Sequence, residues 1–93
     1  MKYDILLTGN QEWNYKVDYT KVVRVSHFDD VRNNRTELSV EFNTSSLMRS
    51  LIKEHASYLE VKSGESKVSF KITSIEETDS GIKIQSYIYK QNK

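Results

Sequence analysis

The 93-residue chain has no cysteine, no proline, only three glycines and no excess of charge of either sign. Each absence closes off a class of protein. Without cysteine there is no disulfide framework, no thiolate nucleophile and no cysteine-bound zinc. That usage fits a reducing compartment. Without proline there is no rigid linker, and long strands run uninterrupted. Gly9, Gly64 and Gly81 all fall at turn signals, so they cannot build a phosphate cradle. No apolar run approaches the roughly 20 residues that span a bilayer. The opening MKYDILLTGNQEW is broken by Asp4 and reads as a strand rather than a signal peptide. Fourteen basic residues stand against thirteen acidic ones. This balance argues against a DNA-binding domain with a basic excess and against an acidic DNA mimic.

What remains is one domain over residues 1–93 with a modest core. Hydrophobic residues make up 37% of the chain, below the usual share for a globular domain. Part of the stability is therefore expected from a partner or from self-association.

Period-two alternation dominates. Tyr3, Ile5 and Leu7 form a first strand, closed by Gly9-Asn10. Trp13, Tyr15, Val17 and Tyr19 share a parity that Val23, Val25 and His27 continue. That predicts one long strand, or two joined by a bulge near Thr20. Leu38, Val40 and Phe42 alternate with Glu37, Ser39 and Glu41, and Val22 to Phe28 is the expected hairpin partner. At NTSSLMRSLIKEHASYL the period becomes helical, which predicts one amphipathic helix over Ser46 to Ser57, capped by Thr44 or Ser45. Strands follow at Tyr58 to Lys62, Lys67 to Glu76 and Ile82 to Lys90, joined at Ser63-Gly64 and Asp79-Ser80-Gly81. Ile75 falls out of phase with Val68, Phe70 and Ile72, so a bulge is expected near Thr73.

The fold class read from this pattern is α+β and β-rich. About six strands form an antiparallel small barrel or curled sheet, with one amphipathic helix inserted mid-chain to cover an end or an open edge.

Few constellations carry chemistry. HFDDVRNNR, His27 to Arg35, gathers acids, amides and arginines. Adjacent Asp29 and Asp30 on a strand point to opposite faces, so the stretch reads as a polar hairpin tip rather than a metal site. Glu60-Val61-Lys62, with Asp29 or Asp30 upstream, has the outline of the D…E-x-K pattern of metal-dependent nucleases. Ser63-Gly64 leads on into another strand, where that chemistry usually places a helix. His55 lies at the margin of the helix stripe, and Trp13 belongs with the core. The many serines lack a nucleophile elbow. No catalytic set, metal site or cofactor is expected.

The candidate partner-binding residues are Arg32, Asn33, Asn34 and Arg35 on the projecting loop, with Tyr87 and Tyr89 in the last strand. Arginine and asparagine offer dense hydrogen bonding, and exposed tyrosine is common at protein interfaces.

The run VDYTKVVRVSHFDDVRNNRTELSVEF, then LEVK, then FKITSIEETDSGIKIQSYIY, resembles the small barrel that opens many phage tail-hub and baseplate proteins. The resemblance covers about three quarters of the chain. The chain departs from that pattern by lacking a Gly-Asp before Tyr58 and a glycine near Lys71, and its helix at Leu47 to His55 is longer. The resemblance implies an assembly or adaptor role in a phage or prophage, in the host cytoplasm or the virion, and supplies no catalytic residues.

The expected function is non-enzymatic protein binding, with a protein partner or a homo-oligomer. It would act through an exposed strand edge or the loop bearing Arg32 and Arg35. No membrane and no small-molecule substrate are expected. One alternative is a small phage or mobile-element inhibitor of a host enzyme or defence system. Another is a nucleic-acid binder using Tyr87, Tyr89, Lys90 and the loop arginines.

Overall fold

A computed structural model describes residues 3–90. Its strands are β1 (Asp4–Gly9), β2 (Asn14–Lys16), β3 (Val22–Asp30), β4 (Arg35–Asn43), β5 (Ala56–Ser63), β6 (Ser66–Glu77) and β7 (Gly81–Tyr89). One helix, α1 (Ser46–His55), lies between β4 and β5. Among the described residues the strands form one sheet in the order β2-β1-β5-β6-β7-β4-β3. Every pairing is antiparallel. This is the β-rich curled sheet expected from the alternation, with the short β2 as an extra strand. The sheet is not closed, and β2 and β3 are its edges.

The parity from Trp13 to His27 misleads at one point. Asp18 accepts hydrogen bonds from the Thr20 amide at 3.0 Å and the Thr20 hydroxyl at 2.7 Å. That side-chain cap starts a tight turn at Tyr19–Lys21. The stretch is therefore neither one long strand nor two strands joined by a bulge near Thr20. It is two strands at opposite edges of the sheet. The irregularity in β3 lies instead between Val22 and Arg24.

The connection forces the sheet to curl. Only residues 17–21 separate β2 from β3. The six steps from Lys16 to Val22 reach at most about 21 Å when fully extended. A flat seven-stranded sheet would hold its edges about 29 Å apart. The sheet bends until the gap can be bridged. Tyr15 of β2 then stacks on Phe42 of β4, with ring centroids 6.2 Å apart. Val17, in the connection itself, is buried, and its amide donates to the Ile5 carbonyl at 2.9 Å.

The inner face carries the core. Leu7, Val40, Phe42, Ile52, Leu59, Ile82 and Ile84 are fully buried. The bulge near Thr73 is present, between Ile72 and Ser74. It lets Ile72 pair with Ser86 and Ile75 with Ile84, so both isoleucines pack against the core. The one buried polar residue among those described is Ser86, whose hydroxyl donates to the Leu38 carbonyl at 2.9 Å.

Helix α1 plugs one end of the curl. Ser45 caps it by accepting from the Met48 amide at 3.2 Å. Ile52 is driven into the core, worth about 2–3 kcal/mol for a side chain of this size. The helix ends at His55, two residues before the expected Ser57, because Ala56 pairs with Gly9 and opens β5. Trp13 stacks on His55 with centroids 5.6 Å apart. Glu77 of β6 holds the helix from outside, accepting from Lys53 at 2.9 Å and Arg49 at 3.2 Å. These bonds, the Lys53 contact first, hold the Glu77 carboxyl below its ordinary range. This helix is not long and apolar enough to cross a membrane.

Two glycines allow close backbone approach, Gly9 at the end of the helix and Gly81 beside β4. A methyl group at Gly9 would overlap the His55 carbonyl, and one at Gly81 the Phe42 carbonyl. Gly9→Ala is expected to cost about 2–3 kcal/mol by overpacking against backbone. Gly64 has φ +60° but open space around it, so Gly64→Ala should cost only about 1 kcal/mol. Urea denaturation of the two variants checks the order, and a larger loss at Gly64 would contradict this packing.

A second test concerns pH. A carboxylate whose folded pKa is depressed contributes fully above its unfolded value, and that contribution fades as pH falls through the folded one. Glu77→Gln should therefore show a shallower loss of stability on acidification below the ordinary glutamate range. Denaturation midpoints measured across the acid limb give the comparison, and parallel curves for the two proteins would refute the Glu77 tether.

Candidate docking edge and apolar mouth

The edge strand β3 is where the structure is least finished. It has nine residues and pairs only with β4 among the described residues. Seven of those residues, Val23 to Asp29, are exposed. Val23 keeps 55% and Phe28 62% of its surface in water. Edge strands normally carry lysine, proline or inward charge to stop adventitious pairing. From Val22 to Phe28 this one has no lysine or proline, a single outward charge at Arg24 and a bulge only at its very start.

Beside the edge lies an apolar mouth of about 340 Å³. Register places Val25 opposite Val40 and His27 opposite Leu38, so both side chains face inward. Val25 and His27 form one lip, and Tyr3 and Ile5 form the other. Leu38, Val61, Val68 and Phe70 line the space between. These positions belong to the end of the curl opposite α1. One end of the curl is thus plugged by a helix, while the other presents apolar side chains to water. The rim carries polar groups. Thr36 donates to Asp29 at 2.9 Å, and Lys90 approaches Asp29 at 3.9 Å.

The six residues singled out in the sequence converge at the same end. Asn33 is tied to Asp30, its amide donating at 3.2 Å and its side chain at 2.8 Å. These bonds, and the Arg35 charge, hold the Asp30 carboxyl below its usual range. Asn34 takes a left-handed φ of 54°. Its carbonyl accepts from the Lys90 amide at 2.8 Å, which ties the hairpin tip to the end of β7. Arg35 pairs across the strands with Tyr89. Its guanidinium lies 4.9 Å from the Tyr87 ring centroid and donates to Glu37 at 2.9 and 3.1 Å. Tyr87 and Tyr89 meet edge to face at 5.1 Å. Arg35, Tyr87 and Asn33 are therefore engaged within the fold. Arg32 stays exposed at the tip, with no ion pair among the described residues.

The acidic positions do not gather. Glu60 and Lys62 lie on the outer face of β5, whereas Asp29 sits on the inner rim of β3, four strand steps away in the sheet order. Among the described residues no three histidine or acidic side chains group as metal ligands.

Sequence reading missed the mouth. Its lining comes from five strands, and only the strand order brings them together. One local signal existed: β3 carries apolar residues on both faces, Val25 inward and Phe28 outward, which a half-buried interior strand of an antiparallel sheet rarely does.

Truncating the two arginines should separate their roles. Arg35→Ala removes a ring contact and a carboxylate pair and is expected to lower the melting temperature. Arg32→Ala should stay within about 0.5 kcal/mol of the parent. Thermal melts of both variants decide the matter, and an equal loss at Arg32 would count against this assignment. No family model, no curated protein and no solved structure matches the chain.

Proposed function

We propose that this chain is a non-enzymatic protein-binding module that takes up an extended polypeptide segment by strand addition to β3. The observation that carries the proposal is the nine-residue edge that pairs on one side only among the described residues and runs beside an apolar mouth. An added strand would satisfy the outward-pointing amides and carbonyls of β3. Its side chains would alternate, one set falling into the mouth beside Val25, the other lying beside Phe28 on the outer face. Burying the exposed parts of Val23, Val25 and Phe28 supplies the driving force. Arg32, projecting from the tip, supplies specificity at the rim. A phage-type assembly role, acting in the host cytoplasm or the virion, is part of the proposal, and it rests on the resemblance to tail-hub barrels.

Nucleic acid is a poorer fit. Strand register aligns Phe28, Glu37, Tyr87, Lys71 and Tyr58 in one outward row. Aromatic faces are present there, but Glu37 stands between two of them, and single strands are held by grooves of consistently positive charge.

Extended peptides selected from a random display library should carry apolar residues at every second position. Val25→Lys puts a charge into the lip and is expected to weaken those peptides about tenfold or more, roughly 1.4 kcal/mol. Fluorescence anisotropy with labelled peptides gives the comparison. Selected binders that tolerate Val25→Lys and instead depend on Arg32 would overturn the strand-addition reading.

A further inference from the structure

The exposed edge of β3 is complementary to itself. The strand runs from a basic start, with Lys21 just before it and Arg24 within it, to an acidic finish at Asp29 and Asp30. An antiparallel copy reverses that order and sets each basic start against an acidic finish. We infer that the segment taken up by β3 is the β3 of a second copy of this chain. Two seven-stranded sheets would then join into one across a two-fold axis. This inference rests on the strand-addition reading and names its partner.

The register follows from the side chains. In an antiparallel pair around a two-fold axis, facing residues must lie on the same side of the sheet. With the axis at Ser26, Arg24 of each copy faces Phe28 of the other on the outer side. Phe28 is 62% exposed, and Arg24 has no ion pair among the described residues. A guanidinium over that ring is attracted by the ring's electrons. It also lies diagonal to Asp30, within reach of a long side chain. On the inner side Val25 faces His27, again twice, and both belong to the lip of the mouth. Ser26 at the axis is exposed and small, so the backbones can approach to pairing distance. Moving the axis to His27 would face Arg24 with Asp30, but it would set two imidazoles against each other, Val25 against Asp29 and Phe28 against Ser26. Moving it to Val25 would turn Arg24 from Phe28 to Ser26 and set Asp30 against Thr20, with Asp29 facing Lys21 only outside the strand. The Ser26 register is the one that sets Arg24 over Phe28 and keeps the two imidazoles apart, while placing Val23 beside Asp29.

The absence of cysteine from the chain makes the test clean. Ser26→Cys would place two thiols across the axis, where paired Cα atoms stand about 4.5–5.5 Å apart, within the range a disulfide needs. Ser39→Cys is the control, since Ser39 pairs with Ser26 on the same outer face but lies one strand inside the edge. Under mild oxidation the Ser26→Cys chain is expected to run as a covalent dimer on non-reducing gels, and the Ser39→Cys chain as a monomer. Light scattering on the unmodified chain should give the mass of two chains, shifting to one in Arg24→Glu. A monomer that still pairs selected peptides along β3 overturns the second copy and keeps strand addition. A monomer that pairs none overturns both. A dimer whose Ser26→Cys form fails to cross-link associates through another face and also overturns the inference.

Discussion

Everything in this fold depends on a short tether between the two edges of one sheet. The residues from Val17 to Lys21 join strands that the hydrogen-bond order places farthest apart. A chain that short cannot cross a flat sheet of this width, so the sheet must curl. The curl creates an inside from what would otherwise be two equivalent faces. The apolar alternation of β1, β4, β5 and β7 is then buried on one side. The contacts that secure the curl are local: the Asp18 cap on Thr20, the Val17 amide to Ile5, and Tyr15 against Phe42.

The curl also creates an asymmetry between its two ends. A small chain with a low apolar content cannot fill a barrel completely. Here the available bulk is spent at the helix end, where Ile52, Phe42 and Ile82 are fully buried and a methyl at Gly9 or Gly81 would overlap a backbone carbonyl. Among the described residues the other end is a mouth lined by apolar side chains, with the edge strand β3 along its lip. The hairpin tip there is nonetheless well fixed, by Asp30 to Asn33, Asn34 to Lys90, and Arg35 to Tyr87 and Glu37. A rigid frame around an apolar slot would leave little ordering cost to the uptake of the proposed extended segment.

Much of the fold was legible in the sequence, and the exceptions are instructive. Leu38-Val40-Phe42 and Ile82-Ile84 announced β4 and β7 by alternation. Ile75, out of phase, announced the bulge by Thr73. Ser45 and the spacing of Met48 and Ile52 announced the helix. These are local signals, carried by residues within a turn or two of each other. The break at Asp18 was hidden because the parity of Trp13 to His27 happens to continue through it. Strand order was not legible at all, because pairing is decided by contacts across the whole chain. The mouth depends on that order, and so does the meeting of Arg35 with Tyr87. The residues chosen as an interface were therefore found as separate exposed groups, while the geometry shows several of them bonded to one another.

Amide hydrogen exchange resolved along β3 tests the account most directly. In dilute solution every second β3 amide should exchange fast, with the alternate ones protected by β4. Raising the chain concentration, or adding a strand-forming peptide, should slow the fast set while β4 and β7 stay unchanged. A β3 whose amides exchange uniformly, indifferent to both additions, would contradict the claim that this edge exists to receive another strand.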